Sequence, residues 1–106
     1  MPPSVTKWID ALGEDELAIE EVRGLVLDGL PIALFRLDDG HHALHDLCPH
    51  GHARLSEGYV EDACVECPLH QGLVHIPSGA PRSAPITTPT RSYPTRIVAG
   101  RVEVEL

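Results

Sequence analysis

The chain has 106 residues and a net charge of −8 from 8 basic and 16 acidic side chains, which leaves room for one domain and no separate nucleotide-binding unit. One Lys and seven scattered Arg form no basic cluster, so we exclude nucleic acids and anionic membrane surfaces as main partners. No apolar run reaches the ~18 residues of a membrane-spanning helix. The N-terminal residues lack the apolar core of a signal peptide, and a cytoplasmic location is therefore expected.

Short apolar runs separated by tight turns predict an all-β chain. The predicted strands cover residues 4–9, 17–22, 24–27, 31–37 and 41–47. Asp28-Gly29 and Asp38-Asp39-Gly40 are typical of hairpin turns. Near the C-terminus, residues 96–99 and 101–106 predict a hairpin that turns at Gly100. We therefore expect a small antiparallel sandwich or barrel.

Prolines are concentrated between positions 77 and 94, where five of the ten in the chain occur. Proline removes a hydrogen-bond donor from a ladder, so this stretch is not a central strand. Because the closing hairpin follows it, we interpret the stretch as an ordered loop within the domain rather than as a linker. Residues 1–106 are thus predicted to form a single domain.

Two short segments combine cysteine with histidine: Cys48-x-His50 and Cys67-x-x-His70. A structural zinc ion could use these four side chains, or it could use Cys64 and Cys67 as a C-x-x-C pair with Cys48 and a histidine. Against the second arrangement, a strand over residues 63–67 would point Cys64 and Cys67 to opposite faces. Two mixed arms also suit a binuclear centre in which one iron takes both thiolates and the other takes both imidazoles, as in a Rieske [2Fe–2S] cluster.

The sequence resembles Rieske-type ferredoxins, and most of all the ferredoxin components of multicomponent aromatic-ring-hydroxylating dioxygenases. The resemblance covers nearly the whole chain and rests on residues 48–58, 65–72 and 76–79 and on Tyr93-Pro94. It implies an all-β Rieske iron–sulfur domain, with an antiparallel sandwich as base and a small cluster-binding subdomain at approximately residues 45–80. It also implies one [2Fe–2S] cluster per chain, in which Cys48 and Cys67 hold the inner iron and His50 and His70 the outer iron.

The same resemblance predicts a low reduction potential. Rieske proteins of cytochrome bc complexes carry a disulfide between the two cluster loops and hydroxyl groups beside the cluster. The matching positions here are Ala53, Leu69, Gly72 and Val74, which supply neither. Fewer hydrogen bonds to sulfur favour the low end of the Rieske range of about −150 to +300 mV.

The function implied by the resemblance is one-electron transfer by a monomeric carrier that is not an enzyme by itself. The donor would be an NAD(P)H-dependent flavoprotein ferredoxin reductase, and the acceptor a terminal Rieske oxygenase of aromatic hydrocarbon catabolism. Another acceptor, such as a monooxygenase, is one alternative hypothesis. A zinc-stabilised interaction module is an alternative of a different class.

The remaining cysteine and histidines carry weaker expectations. We expect His52, in the first loop, to lie at the surface, and likewise His41, His42 and His45. Cys64 is expected to act as a small buried apolar side chain. His75 receives no predicted role.

Overall fold

The computed structural model of the chain describes residues 7–48, 53–69, 71–84 and 86–106. The strands are β1 Trp8–Gly13, β2 Val22–Leu27, β3 Leu30–Leu37, β4 Gly40–His45, β5 Tyr59–Glu61, β6 Cys64–Glu66, β7 Leu73–His75, β8 Ser92–Tyr93, β9 Thr95–Val98 and β10 Arg101–Glu105. One 3₁₀ turn, Leu55–Glu57, precedes β5. Within these ranges no helix has the length and apolarity needed to cross a bilayer.

The strands form three antiparallel sheets, which confirms the all-β prediction. One sheet has the order β1-β10-β9 and a second the order β2-β3-β4-β8. The third, β5-β6-β7, is built from the segment that follows the first Cys-His arm. The predicted hairpins at Asp28-Gly29, Asp38-Asp39 and Gly100 are confirmed by the pairing of β2 with β3, β3 with β4 and β9 with β10.

Strand β3 is buried on both faces and separates two apolar cores. Ile32 and Leu34 point into one core, which also contains side chains from β1 and β10. Ala33 and Phe35 point into the other core, which also contains side chains from β5, β6 and β7. Because alternate residues of a strand face opposite sides, the four-stranded sheet is the middle layer of the domain. The continuous apolar run in β3 is the sequence signature of this double burial.

The predicted strand over residues 17–22 is wrong. Glu21 N–H donates to the Ala18 carbonyl at 3.0 Å, and Glu20 has a positive φ of 70°, so this segment is a turn. Only Val22 belongs to a strand. The predicted first strand at 4–9 is also displaced, since β1 begins at Trp8 and continues to Gly13, while residues 1–6 lie outside the described part.

The proline-rich stretch is packed into the domain, as predicted. Thr90 N–H donates to the Gly79 carbonyl at 2.7 Å, and His45 N–H donates to the Arg91 carbonyl at 2.9 Å. Ile86 is buried in the same core as β5, β6 and β7. The segment therefore packs over the end of β7 and against the core that contains β5, β6 and β7.

Candidate metal centre

The first Cys-His arm is a loop closed by a short backbone ladder. Cys48 N–H donates to the Ala53 carbonyl at 2.9 Å, and Leu55 N–H donates to the Asp46 carbonyl at 2.7 Å. Between these bonds, Leu47 and Arg54 pair as an antiparallel bridge. Residues 46–48 thus run antiparallel to residues 53–55. Residues 49–52, which include the predicted ligand His50 and also His52, lie outside the described residues.

The second arm is a tighter loop built on the same plan. Cys67 N–H donates to the Gly72 carbonyl, and Gln71 N–H donates back to the Cys67 carbonyl, both at 2.9 Å. Gln71 has a positive φ of 62°, a conformation uncommon for a residue with a side chain. The backbone therefore reverses within a few residues after Cys67. The predicted ligand His70 lies outside the described residues.

The two arms are joined at their bases. Cys48 and Cys67 are 3% and 0% exposed and belong to one apolar core. Gly58, which follows the first arm, lies so close to the Glu66 carbonyl that an added Cβ would collide with it. The exit of the first arm therefore packs on the backbone that leads directly into Cys67.

This arrangement fits an iron–sulfur centre. Two thiols from separate loops are buried in an apolar environment, which limits solvent access to whatever they hold, and none of the three cysteines is in a disulfide. Thiolates are the protein ligands that iron–sulfur clusters use. The predicted ligand set is thus compatible with the described half of the site.

Cys64 lies apart from the two buried cysteines. It occupies β6 with Val65 and Glu66, and Val65 is buried whereas Cys64 is only partly buried. The expectation of a buried Cys64 is therefore wrong. Strand β6 ends at Glu66, so Cys64 lies in the strand and Cys67 lies beyond its end. The pKa of the Cys64 thiol is raised, mainly because the thiol is partly buried, and this favours the protonated and less reactive form.

Histidines outside the arms are less exposed than expected. His41 is 7% exposed, which contradicts its predicted surface position, and His42 and His45 are partly buried. Strand β4 lies between β3 and β8, so both of its edges are paired, and Ala43 and Leu44 point into the two opposite cores. Burial lowers the pKa of His41, and the nearby Arg36 guanidinium lowers it further. On β7, the His75 Nδ1 lies 2.8 Å from the Ser78 hydroxyl.

Sequence reasoning missed a buried carboxylate beside the first arm. The Asp46 side chain is 1% exposed and is hydrogen-bonded to Ser56. The signal in the sequence was a charged residue between the apolar Leu44 and Leu47 of a predicted strand. If that strand is buried, the carboxylate must have a partner, because charged side chains are almost never fully buried unless they are paired.

The described surface of the arms combines exposed apolar side chains with the half-exposed Arg54, which lies opposite Leu47. Leu47 is 40% exposed and Leu69 is 65% exposed, and Pro68 and Gln71 are exposed beside Leu69. Residues 67–72 contain no carboxylate. Along the chain, the acidic residues nearest the two cysteines are Asp46, which is buried, and Glu66.

Known proteins share both this sequence and this fold. A family model described as the Rieske [2Fe-2S] domain matches residues 7–94. The ferredoxin subunit of anthranilate 1,2-dioxygenase from Burkholderia cepacia is 56% identical over 97% of this chain and 95% of that protein. The ferredoxin component of a naphthalene 1,2-dioxygenase system from Pseudomonas aeruginosa is 38% identical over 94% of this chain and 96% of that protein. A ferredoxin solved in complex with the oxygenase of carbazole 1,9a-dioxygenase superposes with a TM-score of 0.87 at 32% identity, covering 92% of this chain and 91% of that chain.

Proposed function

Because this chain belongs to the Rieske [2Fe–2S] domain family, we propose that it is the low-potential electron carrier between a flavoprotein reductase and a terminal oxygenase. Like its relatives, it is a ferredoxin component of the aromatic dioxygenase type and not a catalytic subunit. It carries one [2Fe–2S] cluster, which supplies reversible uptake of a single electron.

The ligands we propose are Cys48 and Cys67 for one iron and His50 and His70 for the other. The support from the described residues is the pair of buried thiols at the bases of two loops that share one apolar core. Residues 45–80, approximately, would then be the cluster-binding subdomain of a single domain. Backbone hydrogen bonds of Cys48 and Cys67 close the two loops.

We assign a low reduction potential to this carrier. The Val74 side chain is a hydrocarbon and Gly72 has no side chain, so neither residue can donate a hydroxyl hydrogen bond to a cluster sulfur. Ala53 and Leu69 cannot form a disulfide between the loops. Weak hydrogen bonding at sulfur favours the oxidised form, which suits a carrier that must give up its electron readily.

The proposed partners follow from the relatives. The acceptor is a terminal oxygenase acting on an aromatic carboxylate such as anthranilate, supported by the 56% identity to a ferredoxin of that system. The donor is an NAD(P)H-dependent flavoprotein reductase in the cytoplasm, and the carrier acts as a monomer. Docking would use four exposed side chains without charge from the two arms, those of Leu47, Pro68, Leu69 and Gln71. Such a patch is small, as suits a carrier that must dissociate between partners.

Ligation is tested by replacing one cysteine at a time. Cys48→Ser should abolish the visible absorption and the electron paramagnetic resonance signal of the reduced cluster, and should lower the iron content. Cys64→Ser is the matched control, since it removes a thiol on the outer face of β6 and should leave colour and iron unchanged. Retention of the cluster in Cys48→Ser together with its loss in Cys64→Ser would contradict the ligand set.

A further inference from the structure

The first arm is held by a buried side-chain contact at its base. The Asp46 carboxylate accepts the Ser56 backbone N–H at 2.7 Å through Oδ1 and the Ser56 hydroxyl at 2.8 Å through Oδ2. Arg54 Nη1 lies 3.5 Å from the same Oδ2. A carboxylate that is 1% exposed would be costly without such partners, and hydrogen bonds to a charged acceptor are among the stronger ones.

The main chain of Asp46 is fixed at the same place. Its N–H donates to the Pro31 carbonyl at 2.9 Å, and its carbonyl accepts the Leu55 N–H at 2.7 Å. Side chain and main chain together tie residue 46, two positions before Cys48, to residues 55 and 56 on the far side of the loop. Asp46 and Ser56 thus join the chain just before Cys48 to the chain that follows Ala53.

We propose that Asp46 and Ser56 form a positioning pair that fixes the cysteine side of the first arm for cluster binding, and that the buried charge of Asp46 lowers the reduction potential. This inference rests on the proposed ligation by Cys48. Residues that orient ligands are worth about 10–100-fold in metal affinity or activity elsewhere. A fixed negative charge in a poorly solvated region also opposes the addition of an electron nearby.

Three variants of the cluster-loaded protein separate the two effects. Ser56→Ala removes the hydroxyl bond but keeps the charge. Asp46→Asn keeps a side chain of the same shape, with an oxygen for the Ser56 N–H and an amide for the hydroxyl, but removes the charge. Asp46→Ala removes both. The matched control is Glu57→Gln, which removes an exposed carboxylate from the neighbouring position of the same 3₁₀ turn.

The readouts are the rate at which the visible absorption bleaches in the presence of an iron chelator, the reduction potential, and the unfolding midpoint. Ser56→Ala and Asp46→Ala should lose the cluster about tenfold faster than the unsubstituted protein, as expected for loss of a ligand-orienting contact. Asp46→Asn should bleach at nearly the original rate but have a more positive potential. Glu57→Gln should change neither property.

Unchanged bleaching in Ser56→Ala, or an unchanged potential in Asp46→Asn, would overturn the corresponding half of the inference even if Asp46→Ala fails to fold. A lower unfolding midpoint with unchanged bleaching and potential would show a purely structural role and would also overturn it. Failure of the proposed function is recognised separately, because Cys48→Ser would then retain the cluster whatever happens at Asp46.

Discussion

Gly79 lies in the proline-rich segment shortly after β7, and its substitution tests how that segment packs on the domain. Its N–H donates to the His75 carbonyl at 2.7 Å, and its carbonyl accepts the Thr90 N–H at 2.7 Å. Its φ is +75°, and an added Cβ would collide with the Thr90 carbonyl oxygen. Gly79→Ala therefore adds backbone strain and also pushes the Thr90 backbone away.

The two contributions can be separated with a second glycine. Gly29 has nearly the same φ of +80°, but nothing lies within 4 Å of an added Cβ. Gly29→Ala should cost only the left-handed strain of about 1–2 kcal/mol. Gly79→Ala should cost this amount plus the disrupted bond to Thr90, worth about 1 kcal/mol, and the displaced packing, or about 3 kcal/mol in total.

Thermal unfolding of the cluster-loaded variants, followed by far-ultraviolet circular dichroism, measures both costs. A domain of this size loses about 4–8 °C in midpoint per kcal/mol, so Gly79→Ala should unfold about 12–24 °C lower than the unsubstituted protein. Gly29→Ala should unfold about 4–16 °C lower. Equal midpoints for the two variants would refute the argument, because they would show that the contact with Thr90 contributes nothing beyond the backbone conformation.

Three further outcomes are expected. The Thr90 hydroxyl is buried with no hydrogen-bond partner in the described part of the chain, so Thr90→Val should leave the free energy of unfolding unchanged or raise it by about 1 kcal/mol in urea titrations. Because the pKa of buried His41 is lowered, the unfolded chain binds a proton near pH 6.5 that the folded chain does not, so stability should fall as pH decreases below that value, and His41→Gln should reduce the fall. Leu69→Asp should slow stopped-flow electron transfer to the oxygenase without bleaching the cluster, whereas Ile97→Asp, exposed on the outer sheet, should not.

The contradicting results are equally specific. A loss of more than about 1 kcal/mol in Thr90→Val would show that the hydroxyl is bonded. An unchanged acid limb in His41→Gln would exclude this imidazole as the titrating group. Equal transfer rates for Leu69→Asp and Ile97→Asp would place docking on another face. Added salt should also slow the encounter, since a carrier of net charge −8 is steered toward basic partner surfaces.

The central hairpins could be predicted from the sequence because their signals are local. Asp28-Gly29 and Asp38-Asp39-Gly40 specify tight turns, and the apolar run of β3 between them predicts a buried strand. The Cys and His residue types with their spacing similarly predicted the chemistry of the site, since few centres use two mixed arms. In each case the residues that carry the signal are adjacent along the chain.

The errors arose where distant or side-chain contacts decide the structure. Residues 17–22 show a strand-like apolar pattern, but the Ala18 N–H bonds to the Glu21 carboxylate at 2.6 Å, and this local contact stabilises a turn. His41 looked like a surface residue because its own strand does not reveal that side chains from other segments cover both faces of β4. Hydrophobic patterning within one segment does not report which later segment will cover it.

The two arms are stabilised by different contacts. Those of the second arm lie within its Cys-His motif and could be seen in the sequence, whereas the side-chain contact of the first arm lies outside its motif. The second arm is closed by backbone bonds between Cys67 and Gly72 and by the left-handed Gln71, so its short C-x-x-H-Q-G pattern contains nearly the whole structural element. The first arm has a similar ladder but depends in addition on Asp46 and Ser56, which lie on either side of the C-x-H motif. A motif defined by its ligands therefore includes the backbone bonds that close the second arm and omits the buried contact that supports the first. Substitutions outside the ligand motif should on this reasoning affect cluster retention more strongly at the first arm than at the second.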